Sequence, residues 1–211
     1  MIDLPPMVRV AALGDSITAG SPLWDPDPEV RRSIGAALDE RSQWEWWAAR
    51  AHPGFEFRNC GVYGERAEEI ERRLEACAAG ADVLVVQGGI NDVAQGRRVK
   101  DAAAALRRMV RCGLRLGLGV ALADVLPWNN GWPGAEPAIR RLNELVHAIG
   151  REEGVPVLPF HTRSRTRTAP AACGTSGRTT ATTRPSRATA ASASSRSGCR
   201  AGRRAPCASA P

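Results

Sequence analysis

A serine stands directly after the first apolar run of the chain, at a turn. The run Val8–Leu13 is stopped by Gly14, and Asp15 and Ser16 follow. A strand that ends in this way leaves the serine hydroxyl at the carboxyl edge of a sheet, where open α/β folds bind their ligands. Because a serine hydroxyl is a weak nucleophile at neutral pH, it needs a neighbouring base that takes its proton. The turn therefore predicts a nucleophile whose activity depends on a base elsewhere in the chain.

Two further polar turns follow later apolar runs. After the second run comes Asn59-Cys60-Gly61-Val62-Tyr63-Gly64, and after the third comes Gly89-Ile90-Asn91-Asp92. All three turns lie directly behind predicted strands, so a parallel sheet would bring them to one edge. The sequence predicts a shared site at that edge.

Together, the three turns resemble those of the SGNH, or GDSL, hydrolase family. The resemblance implies that Ser16 attacks an ester carbonyl, and that the N–H of Ser16, the N–H of Gly64 and the side chain of Asn91 hold the oxyanion. It also implies a small-molecule ester as substrate, and neither a metal nor an organic cofactor. Acetylated sugars, short acyl esters, thioesters and lysophospholipids all stay open as substrates.

The general base of that family is missing. Its Asp-x-x-His motif near the C-terminus is absent, and histidine occurs only at His52, His147 and His161. His161 follows the last predicted strand and is the substitute candidate, although it comes too early to be the family's histidine. Loss of the base lowers the kcat of a serine triad by up to about 10⁶-fold. We therefore expect a weakly active or inactive esterase.

Alternating strands and helices must position these turns. The predicted strands are Val8–Leu13, Phe55–Asn59, Asp82–Gln87, Leu118–Val125 and Pro156–Phe160. The predicted helices are Arg32–Ala51, Glu65–Ala78, Val99–Leu116 and Glu136–Arg151. Five strands alternating with four helices indicate a three-layer α/β/α domain with a five-stranded parallel sheet over residues 1–160. The resemblance implies that this sheet is flavodoxin-like. The sequence further predicts that Trp44 and Trp47 pack in the core, and that the loop residues Trp24, Trp128 and Trp132 could line a pocket.

The last 51 residues have a different composition. Residues 161–211 contain ten arginines, no acidic residue and no large apolar side chain, which leaves 19 basic and 22 acidic groups in residues 1–160. The net charge of +7 therefore comes from the tail alone. Ordering a residue costs about 1–2 kcal/mol, and the tail has no large apolar side chain to bury in return. We expect it to be disordered, and we expect the domain to lack its last helix.

The tail also has the composition of a GC-rich gene read in the wrong frame. Read from the third base of each codon, the stretch Thr179–Thr189 can encode Asp-Asp-Gly-Asp-His-Pro-Ser-Val-Glu-Gly-Tyr, which contains the missing Asp-x-x-His. We hypothesise that one base was lost after the His161 codon. Resequencing that locus tests the hypothesis, because an uninterrupted frame shared by close relatives would contradict it.

The composition also leaves open a second class of protein and indicates a compartment. A non-catalytic α/β module whose arginine-rich tail binds nucleic acid is the alternative, but the tail lacks aromatic residues for base stacking and the domain is acidic, so nucleic acid is an unlikely partner. We see no signal peptide and no stretch long enough to span a membrane, so we expect a cytoplasmic protein whose six cysteines are free thiols. The oligomeric state is open.

Overall fold

The computed structural model describes residues 7–128 and 134–165. Its centre is a parallel sheet with the strand order β2-β1-β3-β4-β5, which is the predicted flavodoxin-like order. The strands are β1 (Val8–Gly14), β2 (Phe55–Gly61), β3 (Val83–Val86), β4 (Gly119–Ala123) and β5 (Val157–Leu158). Leu13 pairs with Cys60 in β2 and with Val86 in β3, so these three strands end at the same level. The predicted fold class is confirmed.

Helices flank the sheet. They are α1 (Ser16–Ala19), α2 (Pro28–Ile34), α3 (Trp44–Ala51), α4 (Ala67–Glu71), α5 (Leu74–Ala78), α6 (Ile90–Ala94), α7 (Val99–Arg115), α8 (Ala135–Glu153) and α9 (Phe160–Arg165). Side chains alternate along a strand, so Ala11 and Leu13 face one side of the sheet while Val10 faces the other. The first side carries the large core, which the buried faces of α4, α5, α7 and α8 complete. In the described part of the chain, no helix has the length and the apolar character that a membrane crossing requires.

The second side of the sheet is thinly covered. Within the described residues, its core has three buried members, Val10, Val85 and Ala121. The apolar side chains packed against them are only partly buried, namely Val8, Trp44, Phe57, Val83 and Leu158. Trp44 of α3 contacts the rings of Phe57 and Phe160, so α3 and the start of α9 cover part of this side. Within the described residues, this side of the sheet is therefore less completely covered than the first.

The prediction of one helix over Arg32–Ala51 was wrong. The segment forms α2, two short 3₁₀ turns (Gly35–Ala37 and Glu40–Ser42) and α3. Capping explains the division, because Asp27 accepts the Glu29 N–H at the start of α2 and Asp39 accepts the Arg41 N–H after it. Trp47, predicted to be in the core, is 55% exposed, whereas Trp44 is partly buried.

Two other predicted elements are divided or shortened. The helix predicted over Glu65–Ala78 forms α4 and α5, with Arg72 and Arg73 between them. The last strand is confined to two residues because Phe160 begins α9. That helix also continues past the predicted domain boundary at residue 160. The rest of the tail, including the stretch on which the frame hypothesis depends, lies outside the described residues, as does Trp132.

Free thiols were predicted, but Cys60 and Cys77 form a disulfide. Cys60 lies near the end of β2 and Cys77 on the buried side of α5, and their Cα atoms are 6.1 Å apart. Packing of α5 against the sheet brings them together, which a separation of 17 residues in the sequence does not reveal. Disulfides persist mainly in oxidising compartments, so the redox state of this pair depends on the location of the protein, which stays a prediction.

Candidate active site

The serine turn lies at the carboxyl end of β1. Asp15 precedes α1, and its carboxylate caps the helix by accepting a hydrogen bond from the Ile17 N–H at 2.9 Å. Ser16 is the first residue of α1 and is partly exposed. The helix lasts only one turn and ends at Gly20, which has a φ of 86°. The hydroxyl-bearing residue is therefore at the sheet edge, as the sequence predicts.

The buried side chain of Gln87, the residue directly after β3, holds this turn. Its Oε1 accepts hydrogen bonds from the Asp15 N–H at 3.2 Å and from the Thr18 hydroxyl at 2.9 Å. Its Nε2 donates to Asp15 Oδ2 at 3.1 Å. One side-chain amide thus holds Asp15 and Thr18, which lie on either side of Ser16. Sequence reasoning missed Gln87, although a polar residue directly after the apolar strand Val83–Val86 was a signal for it.

Asp15 is fully buried, and burial raises its pKa to about 6. The hydrogen bonds from Ile17 and Gln87 act in the opposite direction, because donors stabilise the ionised carboxylate. Both carboxylate oxygens of Asp15 accept a hydrogen bond, Oδ1 from the Ile17 N–H and Oδ2 from the Gln87 amide. Through these bonds, the Asp15 carboxylate holds the serine turn in place.

The second turn packs closely against the first. The Val62 N–H donates to the Gly14 carbonyl at 3.1 Å, which continues the pairing of β1 and β2 beyond the strands. A Cβ at Gly61 would lie 2.0 Å from the backbone nitrogen of Ala19, so only glycine permits this approach. Gly64 has a φ of 79°, in the left-handed region that favours glycine. Gly64, whose N–H is predicted to hold an oxyanion, therefore lies in a loop whose backbone conformation favours glycine.

The third turn is tied to the second by two side chains. Asn91, in α6, donates from Nδ2 to the backbone carbonyl of Glu65 at 2.8 Å. The neighbouring Asp92 is buried, and its Oδ2 accepts the Ala67 N–H at 2.9 Å. Because Glu65 follows Gly64 directly, the Asn91 amide lies beside the loop that carries the Gly64 N–H.

The predicted residues Ser16, Gly64 and Asn91 thus lie on three hydrogen-bonded turns at one edge of the sheet. The first turn joins the second through Val62 and Gly14, and the second joins the third through Asn91 and Glu65. The roles predicted for the three residues stay predictions. The arrangement can present a hydroxyl and several N–H donors on the same side of the molecule.

The substitute base His161 is bound elsewhere. Its backbone N–H donates to Asp124 Oδ1 at 2.6 Å, and its ring atom Nδ1 lies 2.9 Å from the Val125 carbonyl oxygen. His147 Nε2 lies 3.4 Å from the other oxygen of Asp124, so both histidines gather at the end of β4. His52 is exposed and contacts the Phe55 ring. Within the described residues, no histidine forms a hydrogen bond with Ser16.

A cleft of about 440 Å³ lies beside the second turn. Its lining residues are Tyr63, Gly64, Glu65, Glu69, Arg72 and Arg73. Ser16 and Asn91 are not among them, so the cleft flanks the three turns instead of lying between them. None of the tryptophans in the described part of the chain lines it: Trp24 packs under the Arg31 guanidinium at 4.6 Å, and Trp128 packs against the core.

Comparison with known proteins identifies the family. The sequence model of the GDSL-like Lipase/Acylhydrolase family matches residues 12–189. The chain therefore belongs to the GDSL-like lipase/acylhydrolase, or SGNH hydrolase, family of esterases. A comparison with curated proteins found no match.

Solved structures share the fold. A lipase/acylhydrolase from Enterococcus faecalis is 21% identical, with a TM-score of 0.58, over 77% of this chain and 80% of that chain. A catalytic mutant of an acetylxylan esterase from Geobacillus stearothermophilus is 18% identical, with a TM-score of 0.61, over 78% and 81%. A putative lipolytic protein of the G-D-S-L family from Desulfitobacterium hafniense is 20% identical, with a TM-score of 0.58, over 72% and 76%. At these identities, the likeness is one of fold.

Proposed function

We propose that this protein hydrolyses carboxylic esters of small molecules through an acyl-enzyme intermediate on Ser16. The observation that carries the proposal is the direct hydrogen bonding between the three turns that bear Ser16, Gly64 and Asn91. Membership of an esterase family supports it, and so does the acetylxylan esterase among the fold neighbours. Which ester is the substrate stays open.

The oxyanion would receive three donors. These are the Ser16 N–H at the start of α1, the Gly64 N–H and the Asn91 amide. An amide nitrogen carries two hydrogens, and Asn91 uses one for the Glu65 carbonyl, so the second is available. Each such donor contributes about 10²–10³-fold to kcat.

The reaction would proceed in two steps. The Ser16 oxygen attacks the ester carbonyl, its proton passes to a base, and the alcohol leaves with a proton when the tetrahedral intermediate collapses. Water then attacks the acyl-enzyme, which releases the carboxylic acid and restores the Ser16 hydroxyl. Both steps pass through an oxyanion that the same donors stabilise.

The weak point of this chain is the base. Since a carbonyl oxygen only accepts hydrogen bonds, the contact with Val125 assigns the proton of neutral His161 to Nδ1 and leaves the Nε2 lone pair free. That tautomer suits a base, but the ring is bound to the end of β4 and not to Ser16. We therefore propose impaired activity, with His161 as the candidate for the residual base.

Hydrolysis of p-nitrophenyl acetate by the full chain tests the proposal. Ser16→Ala should abolish the rate above background, whereas Ser33→Ala, at an exposed serine of α2, should leave it unchanged. Asn91→Ala should lower kcat by about 10²–10³-fold. A rate that survives Ser16→Ala would exclude Ser16 as the nucleophile.

A second chain tests the impairment. A version with the reading frame restored after residue 161 should be faster by at least about 10³-fold, since it regains a general base. Equal rates for the two versions would show that the Asp-x-x-His segment is not what this chain lacks.

A further inference from the structure

Arg73 lies between α4 and α5, and its guanidinium bonds the ends of β1 and β2 and the residue that follows Gly64. Nη1 donates to the Cys60 carbonyl at 2.8 Å, and Nη2 donates to the Gly14 carbonyl at 3.1 Å. Nε donates to the Glu65 carboxylate at 2.8 Å, and Nη2 forms a second bond to it. The side chains of Arg73 and Glu65 are only 28% and 20% exposed, so water competes weakly for these bonds.

Each partner of Arg73 stands close to a proposed catalytic group. Gly14 precedes Ser16 by two residues, and Cys60 is the last residue but one of the strand that leads to Gly64. Glu65 follows Gly64 directly, and its own carbonyl holds the Asn91 amide. One guanidinium therefore connects the strand ends and the loop that set the distance between the serine hydroxyl and the oxyanion donors.

The donors of Arg73 are nearly all used within the protein. A guanidinium has five N–H groups in a fixed planar fork, and the bonds to Gly14, Cys60 and Glu65 occupy most of them. Arg73 lines the cleft, but it has little capacity left to bind a substrate group. Its contacts suit a residue that positions others.

We infer that Arg73, held by Glu65, is a positioning residue that fixes the Gly64 loop against the serine turn. This inference rests on the proposed function. A displacement of about 1 Å at an active site can lower a rate by about 10²-fold, so a loosened loop weakens the oxyanion donors without changing their identity. Lysine keeps the charge but not the fork, and it cannot bond two carbonyls and a carboxylate in this geometry.

The test combines hydrogen exchange with kinetics on the full chain. Arg73→Met and the milder Glu65→Gln should speed amide exchange in the segment 62–66 by at least about tenfold, while exchange in α7 and α8 stays as in the parent protein. Both variants should lower the Ser16-dependent kcat by about 10- to 100-fold with KM nearly unchanged. Arg73→Lys should fall between Arg73→Met and the parent protein in both measurements.

Arg58→Met is the matched control. Arg58 also donates from β2 to two carbonyl oxygens, those of Cys77 and Ala79, but away from the three turns. It should change neither exchange in the segment 62–66 nor kcat.

Hydrogen exchange tests the positioning role of Arg73, and kinetics tests the proposed esterase function. Unchanged exchange in the segment 62–66 of a folded Arg73→Met, or an equal effect of Arg58→Met, would overturn the positioning role. If the parent protein has no Ser16-dependent hydrolysis, the proposed function fails, and hydrogen exchange alone still decides whether Arg73 fixes the loop.

Discussion

Two buried carboxylic acids, Asp15 and Glu45, differ in pKa because only one of them receives hydrogen bonds from other residues that the structure describes. Asp15 receives bonds from the Ile17 N–H and from Gln87, and its pKa is raised only to about 6. Glu45 of α3 is 3% exposed, and neither of its carboxyl oxygens has a hydrogen-bond partner among the described residues. Burial raises its pKa to about 8. At neutral pH, the aspartate under the serine turn is therefore mainly ionised, whereas Glu45 is mainly protonated.

Protonation of Glu45 predicts how stability depends on pH. The pKa of Glu45 rises from 4.5 to about 8 on folding. The stability that depends on a protonated Glu45 is therefore fully present below pH 4.5 and is lost as the pH rises through 8. Glu45→Gln stays neutral, and we expect it to exceed the parent protein in free energy of unfolding at pH 9 by up to about 4 kcal/mol, with little difference at pH 4.5.

Urea unfolding at pH 4.5, 7 and 9 checks this expectation. The interval from pH 7 to 9 isolates Glu45, since Asp15 titrates below it. Glu40→Gln, in the exposed turn before α3, is the control and should leave the pH profile unchanged. An identical profile for Glu45→Gln and the parent protein would show that Glu45 is not held protonated by the fold.

At the scale of elements, the site is a set of strand ends joined by side chains from other elements. Gln87, directly after β3, holds the serine turn, Asn91 of α6 holds the second turn, and the Cys60–Cys77 disulfide joins β2 to α5. Cys60 of the disulfide lies near the end of the strand that leads to Gly64. The connection between β2 and α5 is therefore both covalent and, through Arg73, hydrogen-bonded.

The disulfide predicts a stability that depends on reductant. Closing a loop of about this length contributes about 3 kcal/mol by restricting the unfolded chain. We expect Cys60→Ser with Cys77→Ser to lose about 2–4 kcal/mol of unfolding free energy relative to the oxidised parent protein. Unfolding curves with and without dithiothreitol measure the difference.

The variant with both Cys60→Ser and Cys77→Ser is also the control for effects of dithiothreitol that do not involve this disulfide. It should be insensitive to dithiothreitol, and the reduced parent protein should approach its stability. Mass spectrometry that finds both thiols free in the unreduced parent protein would contradict the pairing.

At the scale of the whole molecule, the two sides of the sheet are unequal. The side with α4, α5, α7 and α8 encloses a continuous buried core. On the other side, the strand residues Val8, Phe57 and Val83 are only partly buried within the described part of the chain. Apolar surface left on a sheet in this way favours association with other apolar surfaces.

We expect the full chain to self-associate and to bind an apolar dye. A version with the reading frame restored should be monomeric, because a last helix would cover this side of the sheet. Sedimentation velocity at several concentrations, together with dye fluorescence, measures both. Leu114→Ser, at an exposed position on α7, is the control and should leave the association of the full chain unchanged.

A monodisperse, thermally stable monomer of the full chain would contradict the prediction. It would mean that the partly buried strand residues are covered well enough without another helix.

The sequence by itself determined the sheet and the place of the three turns. Apolar runs that end in Gly14, in Gly61 or before Gly88 carry their own signal, because periodic apolar residues report burial and glycine reports the turn. The alternation of strands and helices then leads to a parallel sheet with the turns at one edge. Helix ends were predicted less well, because caps such as Asp27 and Asp39 decide them locally.

Only the tertiary structure decided which side chains hold the site together. Gln87 and Asp15 are 72 positions apart, Arg73 and Gly14 are 59 apart, and His161 turned out to bind the end of β4 instead of Ser16. Periodicity and local propensity report whether a residue is buried, but not which residue it will meet. Those partners depend on how helices pack against the sheet, and that packing is a property of the whole chain.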